Sequence, residues 1–181
     1  EFFLENAGQF AVGTTNSTGR IAELFFSRRI GLTTNGMNVP IVGGVRLTGK
    51  LGGNNLAVVD LQTDDAFGEP GENFLVARYS RDVFETSQIG GVFINKAQTS
   101  GGHFNRTYAA DMTLVITPSL TVEGFVAGTE TPGIADGEFG AHMRTAWFDR
   151  SWRIYAEHTD LGDNFNPEVG FVRRSDMRKS S

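Results

Sequence analysis

The sequence predicts an all-β protein, an antiparallel up-and-down meander of about ten or eleven long strands. Three observations carry that expectation. Apolar and polar residues alternate with a period of two, while apolar residues at i, i+3, i+4 and i+7 are scarce. Most alternating segments run to roughly ten residues or more, against a mode of about 5–6 for globular strands and about 9–11 for tilted membrane strands. The connections between them are short and long in turn, which is the habit of outer-membrane barrels.

The elements follow in chain order. A weak first strand is placed at 8–14. A second, at 20–31, has small and apolar residues on both faces. In 40–51, Ile41, Val45, Leu47 and Leu51 alternate with Arg46, Thr48 and Lys50. The next strand is 55–64. In 73–84, Leu75, Ala77, Tyr79 and Val83 oppose Arg78, Ser80 and Asp82. Segment 88–98 is again weaker. In 105–117, Tyr108, Ala110, Met112, Leu114 and Ile116 oppose Thr107, Asp111 and Thr113. Strand 120–131 follows. In 138–148, Ala141, Met143 and Trp147 oppose His142 and Arg144. The last two strands are 151–161 and 169–179.

Short turns are expected at 52–54, 85–87, 117–119 and 149–150, and longer connections at 32–39, 65–72, 99–104, 132–137 and 162–168. Turn length sets register, and register sets facing. A three-residue turn at 52–54 pairs Leu51 with Asn55, Leu47 with Val59, Val45 with Leu61 and Arg46 with Asp60. A turn at 117–119 pairs Leu114 with Val122 and Thr113 with Glu123. A two-residue turn at 149–150 sets Trp147 across from Trp152, Met143 from Ala156, Arg144 from Tyr155 and His142 from Glu157. Gly43-Gly44 and Gly90-Gly91, inside strands, mark bulges or close packing of a neighbour.

Composition narrows the class. The chain has 181 residues, close to one domain, and its net charge of -5 argues against a dedicated nucleic-acid binder. Zero Cys excludes disulfides, thiolate zinc and a Cys nucleophile. No apolar run approaches the roughly 18 residues of a membrane helix, which leaves a membrane β-barrel open. Alternation alone fits two readings. In a membrane barrel the apolar face meets lipid and the polar face lines the lumen. In a soluble all-β ligand-binding domain, a lipocalin-like barrel or a sandwich, the apolar face is buried. Strand length, loop asymmetry and aromatics near strand ends (Phe25, Phe74, Phe139, Trp147, Trp152, Phe171) favour a segment of an outer-membrane β-barrel with a channel, transport or surface-anchoring role.

Several motifs also resemble one bacterial family. They are Glu1-Phe2-Phe3-Leu4-Glu5-Asn6, Phe25-Phe26-Ser27-Arg28-Arg29-Ile30-Gly31, the run from Pro40 to Lys50, Asn105-Arg106-Thr107-Tyr108, and the run from Asn164 to Arg174. The chain resembles, along essentially its whole length, the uncharacterised membrane-associated β-barrel domain that follows a family-9-type carbohydrate-binding-like module in exported proteins. The resemblance implies an outer-membrane location and a barrel larger than this chain. It implies no reaction and no catalytic residues. The binding-like module is not in this sequence, so sugar binding falls on no residue here. On this reading 1–181 is one barrel domain or part of one, with both ends expected to continue.

The candidate lumen-facing polar residues are Arg46, Asp60, Arg78, Asp111, Glu123, His142, Arg144, Tyr155 and Glu157, with Arg46 and Asp60 read as a cross-strand ion pair. Trp147 and Trp152 are the candidate membrane-interface aromatics. His103, His142 and His158 are not spaced as metal ligands, and His142 and His158 fall on opposite faces, so no metal or cofactor is expected. No nucleophile–base or paired-acid constellation stands out, and no enzyme is expected. Ser27-Arg28-Arg29 and Arg173-Arg174 read as strand ends, and the acidic stretch 64–72 as a solvated loop. Segment 161–168 is turn chemistry around Phe165 that can fold into a barrel mouth or against a partner module. The expected partners are the outer-membrane bilayer and the rest of a longer chain, with a carbohydrate or a partner protein left open and nucleic acid excluded.

Overall fold

Backbone pairing decides the architecture, and the computed structural model describes it for residues 7–12, 22–33 and 35–181. The strands are β1 (Ala22–Glu23), β2 (Ile41–Leu51), β3 (Asn54–Thr63), β4 (Glu72–Val83), β5 (Ser87–Gln98), β6 (Phe104–Thr117), β7 (Leu120–Glu130), β8 (Phe139–Phe148), β9 (Arg153–Leu161), β10 (Phe171–Val172) and β11 (Met177–Ser180). β2 to β9 are the long ones, and each pairs antiparallel with its sequence neighbour. With β11 beside β9 they make a nine-stranded sheet, while β1 and β10 pair as a separate ribbon. The predicted all-β meander is therefore present. Among the described residues its edges, β2 and β11, each pair on one side.

The turns explain the registers. Gly52 takes φ 58, and a two-residue turn pairs Leu51 with Asn54, Leu47 with Val58 and Val45 with Asp60. That is one residue off the expected pairing and turns β3 over. Thr117 Oγ1 accepts from the backbone N–H of Ser119 and Leu120, and the β6–β7 hairpin keeps the expected Leu114–Val122 and Thr113–Glu123 pairs. At the last long hairpin, Asp149 Oδ1 accepts from the N–H of Ser151 (2.7 Å) and Trp152 (2.6 Å). This Asx turn takes up residues 149–152, so Trp147 faces Ile154, Arg144 faces Glu157 and His142 faces Thr159. Trp152 lies outside the strand and does not face Trp147. The shift here is two residues, so every side chain keeps its predicted face.

Three expected strands are corrected. The 7–12 segment opens as a 3-10 turn at Ala7–Phe10, and residues 13–14 of the expected first strand lie outside the described residues. Within 20–31 only Ala22–Glu23 is strand, followed by a 3-10 turn at Ser27–Arg29; residues 20 and 21 lie outside the described residues. A segment with apolar residues on both faces has no single face to lay on a sheet. Here Leu24 donates to Val12 O and Phe26 to Val169 O. Segment 169–179 breaks into β10, which pairs with β1, and β11, which pairs with β9, with Asp176 between them at φ 50; ahead of β10, Gly170 lies so close to the Glu23 and Leu24 carbonyls that a Cβ would collide with them. The motif at Glu1–Asn6 lies outside the described residues.

One face of the sheet carries the core. Val59, Leu61, Phe74, Val76, Val92, Ile94 and Phe125 on the strands are covered by Phe10, Val12, Leu24 and Phe25 from the N-terminal part and by Phe165 and Val169 from the segment after β9. Phe165 seats over Gly140, where an added Cβ would come within 2.8 Å of its ring. Phe25 and Phe74, expected near a membrane interface, are thus core residues.

Candidate functional site

The sheet presents two chemically different faces. The open face follows from the register: Leu56 and Val58 on β3, Leu75, Ala77 and Tyr79 on β4, Ile89 and Phe93 on β5, Tyr108 to Ile116 at every second position on β6, Val122 and Val126 on β7, Met143 and Trp147 on β8, and Ile154 on β9. Val126 is 60% exposed and Ile154 57%. Polar side chains gather at the two ends. Toward the long connections, Asn73 Nδ2 donates to Asp60 Oδ1, and Arg106 and the Tyr108 hydroxyl reach Glu130 Oε2. Toward the turns lies Arg81, and Trp147 Nε1 donates to Asp149 Oδ2 (2.8 Å). Between these rims, on β3 to β8, no charged side chain among the described residues belongs to this face.

The height of the apolar stretch can be worked from β6. Tyr108 to Ile116 spans about 26 Å along the strand and Arg106 to Thr117 about 36 Å, at ~3.3 Å per residue. With a strand tilt of ~40° these become about 20 and 28 Å, which bracket the ~25 Å apolar band of an outer-membrane barrel. A shallow groove of roughly 730 Å³ lies within it, bounded by Tyr79, Phe93, Tyr108 and Val126 over Gly91 and Ala110.

The core-bearing face is polar at its turn end. Lys50 Nζ meets Asp82 Oδ2 at 2.7 Å. Arg78 donates to both Asp111 oxygens, at 2.7 and 2.8 Å, reaching from β4 to β6 across β5. It can do so because β5 carries Gly90 at the crossing, where a Cβ would sit 3.2 Å from Arg78 Nη2. Arg144 Nη1 donates to Glu123 Oε1 (3.1 Å), with its guanidinium near the Phe148 and Tyr155 rings. Lys179 Nζ lies 3.8 Å from Glu157 Oε1. The result is a belt of cross-strand ion pairs at one level of the face. Charged hydrogen bonds of this kind are roughly twice as strong as neutral ones, and Arg78 and Glu157, each 5% exposed, are the most enclosed members of the belt.

Of the predicted lumen-facing residues, Arg46, Arg78, Asp111, Glu123, His142, Arg144, Tyr155 and Glu157 share this face by register. Asp60 does not. The one-residue turn difference puts it opposite Val45 on the open face, so Arg46 faces Val59 and the predicted Arg46–Asp60 pair is not made. Trp147 and Trp152 both lie at the turn end and are exposed. Gly43-Gly44 does carry a bulge, between Ile41 and Gly43.

Alternation could not reveal the second polar group, at the long-connection end. Buried Asn105 donates to the Asn166 carbonyl and accepts from the Glu168 N–H, which ties down the 162–170 segment. Lys96 Nζ lies 3.0 Å from both Glu72 Oε1 and Glu168 Oε2, and His103 Nε2 lies 3.1 Å from Glu168 Oε1. The contacts join residues distant in sequence, and only the Asn-Pro turn chemistry of the segment hinted at an ordered loop. The segment folds back onto the core face of its own sheet.

Among the described residues no three His or acidic side chains are placed to hold a metal. Comparison with family models, with curated proteins and with solved structures finds no match to this chain.

Proposed function

We propose that this chain forms part of the wall of an outer-membrane β-barrel, with a role in surface anchoring. The observation that carries the reading is the open face: long strands, exposed aliphatic and aromatic side chains, and charge confined to two rims. A contiguous apolar surface of this extent marks contact with a membrane or with protein. Strand length, band height and tryptophans at one rim favour lipid. The open edges of β2 and β11 then need further strands, because unpaired backbone groups do not persist in hydrocarbon. On the inner side, the N-terminal residues and the 162–170 segment fill the loop end with apolar contacts. That packing favours anchoring over an open channel along this wall. The link to carbohydrate handling rests on the family resemblance alone.

The test uses the absence of native Cys. Full-length protein is separated into soluble and outer-membrane fractions, and single-Cys variants V126C and E85C are treated with a hydrophilic maleimide. The reading expects outer-membrane recovery, with Val126→Cys protected until detergent is added and Glu85→Cys, in a turn, reactive throughout. Recovery in the soluble fraction with both sites reactive would overturn it and favour the soluble ligand-binding domain.

A further inference from the structure

A cavity of about 120 Å³ lies on the core-bearing face between the ion-pair belt and the N-terminal residues, lined by Ala11, Val12, Arg78, Asp111, Glu123 and His142 among others. His142 is 5% exposed. Its ring stacks on Phe125 with centroids 6.1 Å apart, and Nδ1 lies 2.8 Å from Thr159 Oγ1. Its Nε2 is buried and has no hydrogen-bond partner. Buried polar atoms without partners are rare and mark a site of bound water, an ion or function.

We propose that His142 is a proton-binding pin beneath the Ala7–Val12 segment, and that its protonation loosens that segment from the wall. The argument is one of charge balance. The charged groups facing the ring are Arg78 on β4, Asp111 on β6, Glu123 on β7, Arg144 on β8 and Glu157 on β9, with Lys179 of β11 behind Glu157. Among the described residues each carboxylate has a cation beside it: Asp111 has Arg78, Glu123 has Arg144, and Glu157 has Lys179 at 3.8 Å, with Glu157 Oε2 making no hydrogen bond. Segment 7–12 carries no ionisable side chain, and it covers the cavity with Ala11 and Val12. A proton added to the imidazole thus places a positive charge in an enclosed space whose described charges already balance, under an apolar lid. An unmatched buried charge is costly. Lifting the lid admits water, so the open state binds the proton more tightly and acid favours opening. Elsewhere among the described N-terminal residues, Leu24 is fully buried and the Phe26 N–H donates to Val169 O, and none of these three residues lines the cavity. The latch works the same way whether the open face meets lipid or water.

Two amides report on the two parts. The Leu24 N–H donates to Val12 O, so its exchange protection measures attachment of the 7–12 segment, and the Phe26 N–H is the control. Hydrogen exchange on the full-length protein, corrected for intrinsic rates, is compared at about pH 7.5 and 5.5, either side of the ordinary histidine pKa of about 6.5. Leu24 protection is expected to fall by about fivefold if the closed-state pKa lies one unit below the open-state value, and by at most about tenfold over this pH range, with Phe26 unchanged. His142→Gln, which can still bond Thr159, abolishes the fall, and Glu157→Gln retains it. The proposal is overturned if Leu24 protection is constant or rises on acidification, if Phe26 falls with it, or if the response survives in H142Q or is lost in E157Q.

Discussion

An arginine at Val126 separates a lipid-facing sheet from a water-facing one by the size of its cost. Val126 lies on the open face of β7, six residues from Leu120 and four from Glu130. At ~3.3 Å per residue and a tilt of ~40°, these offsets put it about 15 and 10 Å from the two strand ends, near the middle of the band. In water, an exposed substitution of this kind stays within about 0.5 kcal/mol, since at 60% exposure little packing is lost. At the midplane of a bilayer an arginine costs about 2–4 kcal/mol, falling to about 0–1 near the interfaces. Val126→Arg should therefore shift the unfolding equilibrium by about 30- to 700-fold, at 1.4 kcal/mol per factor of ten. Gln62→Arg, at the rim beyond Asp60, should shift it by fivefold or less by the same arithmetic. The assay is denaturant unfolding of the full-length protein from vesicles, followed by Trp147 and Trp152 fluorescence and extrapolated linearly. Equal, small effects at both positions would refute the depth argument and with it the lipid assignment of this face.

Three further outcomes follow from the geometry. Removing one partner of the Arg78–Asp111 pair, as Arg78→Ala or Asp111→Ala, should cost about 3–5 kcal/mol by leaving an enclosed charge unpaired, and a double-mutant cycle should show the two losses to be non-additive. Phe165→Ala should cost about 3–5 kcal/mol in the same unfolding measurement, because the ring is buried over Gly140 and leaves a cavity. Asp149 is held below the usual carboxylate range by the Trp147 indole N–H first, and then by the backbone N–H groups of Trp152 and Ser151. Its contribution is present above the unfolded carboxylate pKa of about 3.9 and is lost as pH falls through the lower folded value, so an acid-side change in Trp147 fluorescence should disappear in Asp149→Asn.

Period-two alternation made the sheet legible from the sequence, because a strand with one apolar face must alternate wherever it pairs. The alternation of short and long connections survives in the structure, and so does the shared face of Arg78, Asp111, Glu123, His142, Arg144, Tyr155 and Glu157. Register was less secure, because one residue of turn length inverts a strand. The Gly52 turn moved Asp60 to the open face, whereas the Asp149 turn, two residues longer than expected, changed partners without changing faces.

The sequence by itself determined the fold class, the strand positions from 40 to 161 and the two-faced chemistry of the sheet, since these depend on local periodicity. Only the tertiary structure decided what covers the inner face. Segments 7–12, 22–30 and 162–172 lack alternation, and their order comes from distant partners: Phe10 against Phe25, Gly170 against the Glu23 and Leu24 backbone, Phe165 over Gly140, and Asn105 holding Asn166 and Glu168. Contacts between residues so far apart in the chain leave no periodic trace, so His142 was recognisable as a polar residue on a strand but not as the buried, unpartnered ring beneath the N-terminal segment.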